Sequence, residues 1–239
     1  MRQAVLFSRR CRKELRRDSL FSAFCLALPA FLLLISRITV HYYASGAFSL
    51  VSLLAGALTF AQATLCLFIA NLVSKDKESD YLLKLRLACV KPRTVFFGYM
   101  LSGIAVGFLL FFIGFFCAMF LSMFGINDVS LSIFFPSLLA QLPSLLFFVF
   151  TGIFCGTVFS ERTSLVLSAF GMVLAVLLCG VYLPFSAFGP LATALSHLPY
   201  ALGVALYAKA TSHTVLFSII YALSAAVFAF AAYRKRYLR

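Results

Sequence analysis

Residues 95–123 run for 29 positions without a charged side chain, and stretches of the same kind recur along the whole chain. About 20 consecutive apolar residues let an α-helix cross a bilayer. No water reaches stray backbone N–H and C=O groups in hydrocarbon, so such stretches fold as helices that satisfy their own hydrogen bonds. Composition agrees with this: 63% of the residues are hydrophobic, 11% are charged, and 29 are Phe. Mean hydropathy is +1.05. A soluble domain of 239 residues has no interior able to hide that much apolar surface. The expected fold class is an all-α polytopic membrane protein with six transmembrane helices, forming a single domain over residues 1–239.

Residues 1–18 carry Arg2, Arg9, Arg10, Arg12, Lys13, Arg16 and Arg17. They predict a basic interfacial helix ahead of the first span. That span is residues 19–36, which hold no charge and no evident small-x-small cleavage site, so it is expected to stay in place. Arg37, His41, Tyr42, Tyr43 and Gly46 mark its exit, with tyrosines anchoring at the interface and Arg37 snorkelling towards it. Further spans are expected at about 47–73, 95–123, 132–159, 164–182 and 214–233. Gly125, Asn127 and Asp128 make one turn, and residues 160–163 another. Residues 183–209 are apolar but broken by Pro184, Gly189, Pro190, Pro199 and Gly203. They are expected to form an outer re-entrant or interfacial helix pair, because irregular backbone survives at membrane depth only under cover.

The one long charged stretch inside this body is residues 74–94, SKDKESDYLLKLRLACVKPRT. Lys75, Lys77, Lys84, Arg86, Lys91 and Arg93 are cationic; Asp76, Glu78 and Asp80 are anionic. Tyr81, Leu82, Leu85, Ala88 and Cys89 recur at helical steps, which predicts a short amphipathic helix. Asp80 and Lys84 stand at i, i+4, and Pro92 is expected to end the helix. With both termini inside, the inner segments hold every Lys and Arg except Arg37 and Lys209. That bias fits the positive-inside rule and accounts for the net charge of +13. A nucleic-acid partner is not expected, since the basic residues stand at span ends with no soluble domain to use them.

No G-x-x-x-x-G-K-[ST] loop occurs, so the chain does not bind ATP in that way. His41, His197 and His213 are scattered, the seven cysteines form no C-x-x-C, and no acid lies in mid-membrane. These features argue against a metal centre, a disulfide framework and an ion-driven pump; no catalytic, cofactor or metal residue is expected. Gly103-x-x-x-Gly107 and Gly152-x-x-x-Gly156 predict close helix packing, within one subunit or else at a dimer face. The Phe clusters at 108–120 and 147–154 are read as lipid-facing bulk or as the lining of a lipophilic pathway.

The layout resembles the permease subunit of ABC type-2 transporters, mostly exporters. The most specific part is KDKESDYLLKLRLACVKPRTVFFGYML: acidic Glu78, the pair Leu82 and Leu83, then Pro92, Arg93, Thr94 and Gly98. The sequence departs from the family at Tyr99, where a Lys often stands, and at Ser79 and Asp80, where a Gly is usual. The resemblance implies a bacterial inner-membrane location with both termini cytoplasmic and membrane lipids around the body. It implies a second permease subunit, identical or related, and a separate ABC ATPase subunit that binds the ATP. Residues 74–94 would be the coupling segment, with Glu78, Asp80, Leu82, Lys84, Leu85, Arg86, Pro92 and Arg93 at the ATPase interface. Residues 183–209 would gate the outer end. Short outer loops and many Phe suggest an amphipathic or lipophilic cargo: a drug, a lipid or an antimicrobial peptide. A haem-exporter-type membrane subunit and a membrane scaffold or assembly factor without cargo are the alternatives.

Overall fold

The computed structural model describes residues 2–17, 27, 31, 34, 50–122, 134–181, 185–208 and 211–238, and every regular element among them is helical. In chain order these are α1 (Arg2–Arg17), α2 (Leu50–Glu78), α3 (Tyr81–Leu87), α4 (Pro92–Ser122), α5 (Phe134–Val158) and α6 (Glu161–Leu178). A 3-10 stretch (Phe185–Leu191) follows, then α7 (Ala192–Ser196), α8 (Pro199–Ala208) and α9 (Ser212–Leu238). Five helices, α2, α4, α5, α6 and α9, are long and apolar enough to cross a bilayer. The expected sixth span, residues 19–36, lies outside the described residues apart from three isolated positions, as do its exit residues and the turn at Gly125, Asn127 and Asp128.

Helix α2 is the axis. Its apolar part is almost wholly covered, with α4, α5, α6 and α8 packed round it. Small side chains allow this: Ala55, Ala57, Ala61, Ala63 and Ala70 are all buried. On α5, a Cβ at Gly152 would stand 2.7 Å from the Cys66 carbonyl oxygen, and one at Gly156 would overlap that of Ala70. The expected small-residue pair is therefore a seam between two helices of one chain.

Helices α6 and α9 turn apolar faces outward, including Val166, Phe170 and Val173 on one and Leu223, Val227 and Phe228 on the other. The Phe-rich run of α4 divides: Phe112, Phe116 and Phe120 point out, while Phe111 and Phe115 are buried near Leu54 and Leu58 of α2.

Two boundaries differ from expectation. Helix α2 continues to Glu78, so the polar start of the charged stretch is its last turn. Helix α3 ends without help from Pro92: Cys89 takes a left-handed backbone (φ 57). The Val90 N–H then bonds the Leu85 carbonyl at 3.1 Å and the Cys89 N–H that of Arg86 at 2.9 Å, a Schellman cap. Pro92 instead opens α4, where a helix needs no N–H. In the Pro/Gly-broken region the chain turns at Gly189 (φ 54). Helix α8 then buries Ala201, Leu202 and Leu206, packing on α2 and α5.

Candidate functional site at the basic end of the bundle

Helix α1 is amphipathic: Phe7, Cys11 and Leu15, four residues apart, are buried, while Arg9, Arg12 and Lys13 are exposed. It lies along α4. Gly98 makes that approach possible, because a Cβ there would overlap the Phe7 ring.

The last turn of α2 places Asp76 beneath it. Arg10 Nη1 donates to Asp76 Oδ2 at 3.1 Å and Nη2 to Oδ1 at 2.7 Å. The Tyr99 hydroxyl, from α4, donates to Oδ2 at 2.6 Å. The Arg10 guanidinium also lies 3.7 Å from the ring centre of Tyr81, the first residue of α3, and Phe7 meets Tyr99 edge-on at 5.0 Å. One buried carboxylate thus joins α1, α2 and α4, and Arg10 extends the cluster to α3. A carboxylate in a helix's last turn opposes the helix dipole; here a two-pronged cation and a phenol offset that. Burial alone would lower the Arg10 pKa, but the hydrogen bond and charge of Asp76 outweigh it and hold the guanidinium above its usual range. The Cys11 thiol is pushed up to about 12, by burial first and then by the Asp76 charge.

The same turn of α2 ties down the α5–α6 elbow. Lys77 Nζ donates to the carbonyls of Gly156 (3.2 Å), Thr157 (3.4 Å) and Phe159 at the end of α5. Glu78 Oε1 accepts the Glu161 N–H at 2.7 Å at the start of α6. A cation on terminal carbonyls and a carboxylate on first-turn amides both match the helix dipoles.

The residues singled out from the sequence are spread around this node. Glu78 caps α6. Asp80 is the turn into α3, with left-handed φ 56, at the place where the resemblance expects glycine. Leu82 and Leu85 are half-buried against the core, whereas Lys84, Arg86 and Arg93 are exposed. Pro92 begins α4. The outward apolar residues of α3 are Leu83 and Leu87, 50% and 75% exposed. The sequence reading missed the Arg10–Asp76–Tyr99 cluster; the signal was an acid in the dipole-disfavoured last turn of a span, together with the Tyr99 departure.

A second polar cluster, also missed, sits far from this end. Gln62 Nε2 of α2 donates to Gln141 Oε1 of α5 at 2.6 Å, and Ser144 Oγ donates to Gln62 Oε1 at 2.8 Å. Gln141 Nε2 reaches the Gly203 carbonyl of α8 at 3.5 Å. All three side chains are buried, so this cluster ties the broken segment to the axis.

No curated protein matches the chain. The family model described as ABC-2 type transporter matches residues 2–208, from the first helix through α8. That span takes in both polar clusters and every described helix except α9. The chain belongs to the ABC-2 type transporter family, as a membrane component of such a transporter.

Proposed function

We propose that the chain is the membrane-spanning subunit of an exporter driven by a separate ATPase, and that α3 with α1 forms the surface on which the ATPase seats. The observation that carries this is the outward face of α3, where exposed Leu83 and Leu87 stand among Lys84 and Arg86. Apolar anchors with a charged rim suit a protein partner. The helix is also well braced. Arg10 lies over Tyr81, left-handed residues flank both ends, and Tyr237 of α9 donates its hydroxyl to the Val90 carbonyl at 2.7 Å. A push on α3 then passes to α2 and α4, to α9, and through Arg10 to α1.

In this reading residues 1–239 act as one domain with both ends in the cytosol of a bacterial inner membrane. ATP is bound and hydrolysed on the partner. Two permease subunits, identical or related, enclose the path for an amphipathic or lipophilic cargo. Residues 183–209 cover its outer end, with the α8 contacts to Gln141 supporting a built-in rather than a loose segment. Charge reversal at Glu78 and Arg86 is expected to abolish ATPase stimulation, but it also removes the α6 cap. The cleaner test is Leu83→Asp with Leu87→Asp. It is expected to lower copurification and stimulation of the partner ATPase by at least about tenfold, with membrane insertion intact. Parental stimulation in that variant ends the docking assignment.

A further inference from the structure

On the side of α3 next to α9, Lys77, Leu82, Leu83, Arg86, Arg236 and Tyr237 line a cavity of about 330 Å³. Three cations converge there, and among the described residues none of them is ion-paired. Their hydrogen-bonding capacity differs. Lys77 is occupied by the α5 carbonyls and the Tyr237 hydroxyl by Val90, so these two contribute charge and shape. Arg86 and Arg236 are exposed and have guanidinium donors to offer at the mouth. Planar guanidiniums match phosphate oxygens in pairs. Leu82 and Leu83 form a wall that can give an inorganic anion nothing.

We propose that this cavity binds the phosphodiester headgroup of an anionic inner-leaflet phospholipid, with the glycerol and upper acyl carbons against Leu82 and Leu83. The leucine wall selects a lipid over free phosphate. So does position: the cavity lies beside the cationic last turns of α2 and α9, and with α3 on the cytosolic side as proposed above, a basic pocket between helix ends suits an anionic inner-leaflet lipid. The inference rests on the cytosolic placement of α3 proposed above. Bound there, the lipid links α3 to α9 and braces α3 independently of any ATPase.

Native mass spectrometry of the full chain, delipidated in detergent, tests this with phosphatidylglycerol and phosphatidylcholine of equal acyl chains. One tight phosphatidylglycerol is expected, without a phosphatidylcholine counterpart and undisplaced by equimolar inorganic phosphate. Arg86→Gln with Arg236→Gln is expected to weaken it about thirtyfold, whereas Arg12→Gln with Lys13→Gln on α1 keeps it. Equal weakening in both double variants reduces the effect to general surface charge and overturns the site. Equal binding of phosphatidylcholine, or displacement by phosphate, overturns the assigned ligand. No ATPase enters the measurement, so its failure and that of the docking surface are separate results.

Discussion

Asp76 is 3% exposed, and a carboxylate so placed depends on its partners. Removing one side of a buried pair costs about 3–5 kcal/mol when the orphaned charge stays buried. Here the two sides are unequal, because the Arg10 side chain is 28% exposed and that of Asp76 only 5%. Arg10→Ala strands the acid, whereas Asp76→Asn leaves a guanidinium that can turn to water. Arg10→Ala is therefore expected to lower the thermal unfolding midpoint in detergent more than Asp76→Asn does; the reverse order contradicts the burial. Cys11 reports on the same contact. A thiol with a pKa of about 12 is ionised to only ~1 part in 10,000 at pH 8. Alkylation of Cys11 is accordingly expected to be slow at pH 8 and to keep rising as pH passes 10. Gly98→Val, which pushes the Phe7 ring away, is expected to free α1 and raise the Cys11 rate at pH 8 at least about tenfold, read by peptide mass spectrometry. Almost none of this was legible beforehand. Arg10 is one of seven cations in the first 18 residues, and nothing in its spacing separates the one that meets a carboxylate 66 positions away.

Helices were far more legible than contacts, because apolar length is local and pairing is not. The spans of α4 and α5 came out within about three residues of expectation. The existence of α3 followed from the spacing of Tyr81, Leu82, Leu85, Ala88 and Cys89; the structure turns the first three towards the core and leaves Ala88 and Cys89 exposed beyond the end of the helix. Its end was misplaced because proline carries the same mark for two events, closing one helix or opening the next. Cys89 gave no warning that it would take the position where glycine is usual. Asp80 is the counterpart at the other end. A left-handed backbone costs a residue with Cβ roughly 1–2 kcal/mol, less for Asp, which enters that region more readily. Asp80→Gly is expected to leave unfolding unchanged or slightly raise its midpoint. Asp80→Val is expected to lower it and to detach α3, seen as faster backbone hydrogen exchange over residues 81–87. Equal behaviour of the two variants would show that the turn angle is not what holds α3.

At the scale of the molecule, the sides and the ends differ in kind. The flanks formed by α6 and α9 expose leucine, valine and phenylalanine, and one end gathers the cations of α1, α3 and the tail of α9. Apolar run length made the flanks legible, and Lys/Arg bias made the basic end legible, both being sums over many residues. The Gln62–Gln141–Ser144 cluster escaped because single uncharged polar residues barely change either sum. Which side of the membrane the basic end occupies is a question Cys89 can answer, since it is exposed on the turn after α3. Cys11, Cys66, Cys155 and Cys179 are buried. A thiol facing lipid also reacts poorly with a charged reagent, because the thiolate needs water. With Cys25 replaced by Ser, an impermeant maleimide is expected to label Cys89 in inverted membrane vesicles and not in intact cells. The label should disappear in Cys89→Ser. Labelling from the outside of intact cells would place α3 on the exterior, reverse the membrane orientation, and remove the ATPase surface and the inner-leaflet lipid site together.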